Sequence, residues 1–181
     1  MVILKCTAEI RKALRLSDQS LAKNTAANSS LNHWIIHRFL VGRTRFFLFM
    51  NEVTLLSFVL YKGKKPITAE TLPAMLMSGI HQLLAMNGVN PTVIAQLLDQ
   101  FDVGLYAKTD SRRVLGYMNE IIRDYQHFIE SEGGLDSCDL TGVIMRINDG
   151  PQTFLDRRSP WKATADILGL LGRPQGSDVF A

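Results

Sequence analysis

The sequence predicts an α+β fold in which an antiparallel sheet of four or five strands packs against three or four amphipathic helices. Residues 33–61 contain three strand-length segments rich in β-branched and aromatic residues, joined by short polar connections as in a meander. After residue 68 the apolar residues instead recur three or four positions apart, which is helical spacing. This change of period along the chain is the basis of the predicted class.

The chain begins with a short β-rich run, Val2 to Cys6, which predicts a first strand. Thr7 follows as the N-cap residue of a helix that extends to about Leu16. Residues 17–32 are rich in Ser, Asn, Ala and Asp, and they are predicted to form a loop.

The predicted meander consists of residues 33–41, 44–50 and 55–61. The middle segment is almost entirely apolar, as expected for a central strand covered on both faces. His33 and His37 are interpreted as polar positions on the solvent side of an edge strand. Four residues along a strand span about 13 Å, so these two histidines are too far apart to share a metal ion.

Helical spacing follows the meander. Thr68 can cap a helix that ends at Gly88, and Asn90-Pro91 combines an N-cap residue with proline at the first helical position of the next helix. Residues 103–108 are short and β-like, and they are predicted to return a strand to the sheet, beside the N-terminal one.

The longest predicted helix begins after the N-cap segment Thr109-Asp110-Ser111 and ends near Ser131. Beyond it, residues 142–148 are interpreted as a strand or an extended arm, and Pro160 opens a last short helix. The length and composition predict one domain over residues 1–172, followed by a flexible tail at residues 173–181.

Composition excludes several classes of protein. The chain has 181 residues, 46% of them hydrophobic, and its 20 Lys and Arg against 17 Asp and Glu give a formal charge of +3. A disordered or fibrous chain does not fit these values, and no apolar run is long enough to span a bilayer. No signal peptide is recognised, and two cysteines are too few for a disulfide framework, so we expect a cytoplasmic protein without a membrane partner.

Signatures of known catalytic sites are missing from the sequence. It contains no phosphate-binding glycine loop, no Gly-x-Ser-x-Gly motif and no His-Glu-x-x-His motif. The sequence therefore predicts no catalytic residue, no metal ligand and no cofactor.

The polar connection between two very hydrophobic strands is the first candidate site. Asn51 and Glu52 lie there, and they can present a polar tip to a ligand at the end of the sheet. The alternative is ordinary turn chemistry, because Asn tolerates left-handed backbone and hydrogen-bonds its own neighbours.

The start of the longest helix is the second candidate site. Thr109, Arg112, Arg113 and Asn119 can hold an anion such as phosphate there, since exposed helix amides and guanidinium groups both favour negative charge. Gly116 lies within this helix and suggests the close approach of another backbone or a ligand. In the alternative interpretation the arginines pair with surface acids, and Gly116 only allows the helix to pack on the sheet.

Three segments together resemble a family of small bacterial proteins that is known only as a domain of unknown function. They are Leu4-Lys5-Cys6-Thr7, residues 49–58 around Asn51-Glu52-x-Thr54, and Thr109-x-x-Arg112-x-Val114-Leu115-Gly116-x-Met118-Asn119-Glu120. The resemblance covers about residues 1–130 and is looser at Ile147-Asn148-x-x-Pro151 and Ser159-Pro160-x-x-Ala163. It implies a cytoplasmic bacterial protein and no particular activity. Arg113 stands where this family usually has a small residue, so the resemblance implies no role for it.

The leading functional hypothesis is a non-enzymatic binding module that engages a protein or nucleic-acid partner. The alternative is an enzyme acting on a phosphorylated or nucleotide substrate, with Thr109, Arg112 and Asn119 binding the anion and Glu52 as general base. A homo-oligomeric structural protein is a third reading.

Overall fold

A computed structural model describes residues 1–23, 25, 31–61, 63, 66–101 and 103–170. The predicted tail at residues 173–181 lies outside the described residues. The described part contains five strands, six α-helices and two short 3-10 helices. In chain order they are β1 (Val2–Cys6), α1 (Ala8–Ala13), a 3-10 helix (Asp18–Ser20), β2 (His33–Val41), β3 (Thr44–Asn51), β4 (Ser57–Tyr61), α2 (Leu72–Met86), α3 (Pro91–Asp99), β5 (Val103–Lys108), α4 (Arg112–Ser131), α5 (Leu140–Asp149), a second 3-10 helix (Thr153–Leu155) and α6 (Pro160–Ile167).

The five strands form one mixed sheet in the order β4-β3-β2-β1-β5. The β2–β3 and β3–β4 pairs are antiparallel, whereas β1 lies parallel to both of its neighbours. The prediction of an antiparallel sheet is therefore wrong for the two pairs that β1 forms. The reason is that α1 connects β1 to β2 as a crossover, which returns the chain in the same direction, and a tight hairpin cannot do this.

The strand β2 is interior, so the interpretation of its histidines as solvent-facing positions on an edge strand is wrong. His33 is buried and His37 is half-buried. Both rings have polar partners in the interior, because His33 Nδ1 lies 3.2 Å from Glu52 Oε2 and His37 Nδ1 lies 2.9 Å from Thr7 Oγ1.

Both faces of the sheet are covered around β3. Neighbouring residues of β4 show this, because successive side chains on a strand point to opposite faces. Ser57 contacts the Tyr125 hydroxyl of α4 on one face, and Phe58 lies against Gly79 of α2 on the other. The residues from Phe46 to Met50 are all buried, as the sequence predicts for a central strand.

Residues 142–148 belong to helix α5, so their interpretation as a strand or an extended arm is wrong. The Asp139 side chain accepts a hydrogen bond from Gly142 N and caps this helix. Asn148, near the other end of α5, is buried and binds the backbone of Ser57 twice: Ser57 N donates to its Oδ1 at 2.9 Å and its Nδ2 donates to Ser57 O at 2.7 Å. The Asn148 amide thus occupies the place of a further strand at the outer edge of β4.

Two predicted elements are shorter than expected for backbone reasons. Helix α1 ends at Ala13 because Arg15 adopts a φ of 55°, and β4 begins only at Ser57 because Leu55 adopts a φ of 57°. Among the described residues, no helix has the length and apolar character that crossing a bilayer requires.

Candidate functional site

A buried lysine connects the two segments that the sequence singles out. Lys5 lies in β1, an interior strand, and its side chain is 4% exposed. Its Nζ lies 2.7 Å from Glu52 Oε2, and 2.9 and 3.1 Å from the two carboxylate oxygens of Asp110. We refer to Lys5, His33, Glu52 and Asp110 as the Lys5 cluster.

The turn after β3 positions Glu52. The buried Asn51 side chain donates to His33 O, and its Oδ1 accepts hydrogen bonds from Val53 N, Thr54 N and Thr54 Oγ1. Glu52 N also donates to His33 O, at 3.0 Å. Asn51 is therefore engaged in closing the turn, and it fixes the backbone from which the Glu52 side chain reaches Lys5.

The imidazole of His33 is a further buried member of the Lys5 cluster. Its Nδ1 faces Glu52 Oε2 at 3.2 Å, so one carboxylate oxygen contacts both the imidazole and the ammonium group. His33 Nε2 is buried and has no hydrogen-bond partner in the part of the chain that the structure describes.

Opposing effects act on the pKa of Lys5. Burial of the side chain lowers it, while hydrogen bonds and charge attraction from Glu52 and Asp110 raise it, and the net result is a pKa above the ordinary value. The ammonium group is therefore charged at neutral pH. Because it faces two carboxylates, it compensates much of the negative charge beside the start of α4.

The start of α4 lies next to the Lys5 cluster, since Asp110 immediately precedes its cap. The N-cap residue is Ser111, whose side chain accepts a hydrogen bond from Val114 N at 3.3 Å. Thr109 is half-buried, whereas Arg112 is exposed and makes no side-chain hydrogen bond or ion pair with the described residues.

The two other predicted residues on α4 differ in their surroundings. The exposed Arg113 places its guanidinium 5.1 Å from the centre of the Phe154 ring. Asn119 is exposed and lies seven residues beyond Arg112, or about 10 Å along the helix axis. The suggested close approach of another backbone at Gly116 is wrong, because a Cβ there would meet no atom within 4 Å among the described residues.

The structure thus brings Glu52 and the start of α4 together, with Lys5 between them. It does not place Asn51 at the surface, and Asn119 lies about 10 Å along α4 from Arg112. Sequence patterns do not identify Lys5 or His33 as members of the site, and for Asp110 they predict only a place in a capping segment. A lysine within the otherwise apolar run Val2–Cys6 is the one local signal for the cluster.

Within the described ranges, no group of three or more His, Cys, Asp or Glu side chains has a geometry that could hold a metal ion. The Lys5 cluster fits this finding, because an ammonium group occupies the position between its two carboxylates.

A family model described as a domain of unknown function, DUF6933, matches residues 3–163. The matched range contains all of the Lys5 cluster and the whole of α4. A search of curated proteins found no match to the chain.

Proposed function

The chain belongs to the DUF6933 family, a domain of unknown function, and from this premise we propose that it is a non-enzymatic binding module. It engages a protein or nucleic-acid partner through the exposed start of α4. The observation that supports this most is the contrast between two cations: Lys5 is buried and bound by carboxylates, while Arg112 is exposed and unpaired among the described residues.

Electrostatics at the start of α4 favours an anionic partner. The N-terminus of a helix carries partial positive charge, and an arginine there adds to it instead of compensating it. The carboxylate of Asp110, two residues before Arg112, is already engaged by Lys5 through both of its oxygens. Phosphate groups of a nucleic acid, or acidic side chains of a protein, match this surface.

The arrangement of Glu52 favours a binding module over an enzyme. A general base must have a lone pair directed at the substrate proton. The Oε2 atom of Glu52 contacts both Lys5 and His33, and the Glu52 side chain is 15% exposed. We therefore assign Glu52 the task of positioning the α4 start through Lys5.

Binding to nucleic acid is tested with three proteins: the unchanged chain, Arg112→Ala and Arg123→Ala. Arg123 is a matched control, since it is also an exposed arginine on α4 and lies 11 residues further along the helix. Fluorescence anisotropy with labelled single-stranded RNA and duplex DNA is measured between about 50 and 200 mM salt. We expect Arg112→Ala to weaken binding and to reduce the salt slope by about one, and Arg123→Ala to leave both unchanged.

A protein partner gives a different result. In that case neither nucleic acid binds, and chemical crosslinking of the purified chain in extract yields one crosslinked protein that Arg112→Ala loses and Arg123→Ala retains. If Arg112→Ala behaves like the unchanged chain in both assays, the start of α4 is not the binding surface and the proposal fails.

A further inference from the structure

A second basic surface lies at the far end of β2, where that strand extends beyond its neighbour. The last paired residue of β1 is Cys6, opposite Ile36, so no strand within the described part of the chain lies beside residues 37–41 of β2 on that side. A hollow of about 300 Å³ lies beside this part of β2. We refer to it as the Arg38 hollow, and it is lined by Glu9, His37, Arg38, Phe39, Leu40 and Arg45.

Strand register places two guanidinium groups over this hollow. Arg38 pairs with Phe47 and Leu40 pairs with Arg45 across the antiparallel β2–β3 ladder. Arg38 and Arg45 are therefore diagonal neighbours on one face of the sheet, at a separation that long side chains bridge. Two such groups can approach one ligand from adjacent positions.

Much of the positive charge in the hollow is uncompensated. Arg38 contacts Glu9 through Nε alone, at 3.4 Å, and Arg45 is exposed and makes no ion pair with the described residues. The charged groups that line the hollow are thus two guanidinium groups and one carboxylate. A phosphate group, as a monoester or a diester, has several oxygens and can accept hydrogen bonds from both guanidinium groups at once.

The remaining lining groups fit a phosphate that is attached to a larger molecule. His37 also lines the hollow, and its Nδ1 lies 2.9 Å from Thr7 Oγ1. Leu40 lies on the same face of the sheet as Arg38 and Arg45, and it gives the hollow an apolar side. It is 53% exposed, which is unusual for a leucine. The volume of about 300 Å³ is at the lower end of the range of small-molecule sites.

We propose that the Arg38 hollow binds a phosphate group, with Arg38 and Arg45 as its ligating side chains. The phosphate comes either from a free nucleotide or from a nucleic-acid backbone. The hollow is separate from the α4 start: Gln126 of α4 donates to Leu40 O, and 126 − 112 = 14 residues of helix correspond to about 21 Å. The two proposals can therefore fail independently.

The test uses inorganic phosphate, AMP and a labelled 12-nucleotide single-stranded DNA as probes, each compared with chloride at equal ionic strength. Binding is measured for the unchanged chain, Arg45→Ala, Arg38→Gln and the control Arg43→Ala by calorimetry or fluorescence anisotropy. Arg43 is a matched control because it is an exposed arginine in the β2–β3 turn that does not line the hollow. Circular dichroism verifies that each variant is folded.

We expect at least one probe to bind, Arg45→Ala and Arg38→Gln to weaken it about tenfold or more, and Arg43→Ala to stay within about twofold. Stronger binding of AMP identifies a free nucleotide as the source, and stronger binding of the oligonucleotide identifies a nucleic-acid backbone. The proposal is overturned if no probe binds more tightly than chloride, or if both hollow variants bind as tightly as Arg43→Ala.

Discussion

The ammonium group of Lys5 lies 2.7 Å from the carboxylate of Glu52, although 47 positions separate the two residues in the sequence. This ion pair joins an interior strand to the turn between β3 and β4, and Asp110 extends the connection to the start of α4. One buried cation thus fixes the relative position of three segments.

Replacing Lys5 should destabilise the fold. Lys5→Met keeps the apolar stem but removes the charge, and it leaves Glu52 mostly buried without its ammonium partner. We expect urea unfolding to show a loss of about 2–3 kcal/mol. Asp110→Asn is the control, because the Asp110 side chain is 56% exposed and should contribute less than about 1 kcal/mol. Equal losses in the two variants would contradict a dominant Lys5–Glu52 pair.

Asn148 should be more important for stability than its position near a helix end suggests. Asn148→Ala leaves the buried Ser57 N–H and C=O groups without their partners. The expected loss is about 2–4 kcal/mol, since an unsatisfied buried polar group costs about 1–3 kcal/mol. Asn119→Ala is the control. Because Asn119 is exposed, the unfolding free energy of this variant should differ from that of the unchanged chain by less than about 0.5 kcal/mol. A small effect at Asn148 would show that water replaces the amide.

Replacing each of two helical glycines with alanine should change the stability of the fold in opposite directions. In Gly79→Ala the new methyl group overlaps the ring of Phe58, which is buried and stacked on Phe49 at 4.7 Å between ring centres. We expect a net loss of about 2 kcal/mol from overpacking. Gly116→Ala meets no described atom and should gain about 1 kcal/mol from helix propensity. Thermal unfolding of both variants tests this, and a loss in Gly116→Ala would indicate a contact on that helix face.

Cys6 should make the fold less stable as the solution becomes alkaline. Burial raises the pKa of its thiol from 9.0 to about 12, although Arg11 acts in the opposite direction. Between these values the unfolded chain releases the thiol proton while the folded chain retains it, so unfolding becomes more favourable as pH rises. This thiol alone should lower the unfolding free energy by about 1.4 kcal/mol per pH unit above pH 9.

The measurement compares urea unfolding of the unchanged chain and Cys6→Val at several pH values from 8 to 10. The variant should show a flatter dependence, because its side chain cannot titrate. Cys138→Ser at the half-buried cysteine is the control and should retain most of the slope. Identical slopes in the unchanged chain and Cys6→Val would refute the assignment to Cys6.

Local sequence signals predicted most of the elements. Asn90-Pro91 is an example: the Asn90 side chain accepts a hydrogen bond from Thr92 N, and the helix begins at Pro91 as predicted. The strand predictions for residues 2–6, 33–41 and 103–108 are also confirmed, including the position of β5 beside β1. These elements depend on caps and on side-chain periods that are complete within a few residues.

The predictions that are wrong have a common physical cause: the structure of these segments depends on contacts with residues that are distant in the sequence. The segment Gly142–Asn148 has a β-branched composition, yet its buried residues Val143, Ile144 and Ile147 follow helical spacing and pack against the sheet and α4. Lys5 finds its partners 47 and 105 positions away, so no local pattern can identify them. The parallel pairing of β1 likewise depends on the crossover through α1 and on β5, which lies beside it in the sheet but far from it in the sequence.

The position of β1 between β2 and β5 has a consequence for the order in which the molecule assembles. β1 ends at Cys6 and β5 begins at Val103, so the 96 residues from 7 to 102 must be synthesised between two strands that end as neighbours. Until β5 has been synthesised, one edge of β1 lacks the strand that pairs with it, although β2, β3 and β4 have already been made. A nascent chain stalled before residue 103 should accordingly be vulnerable to proteases and to chaperone capture, and completion of β5 should end that vulnerability.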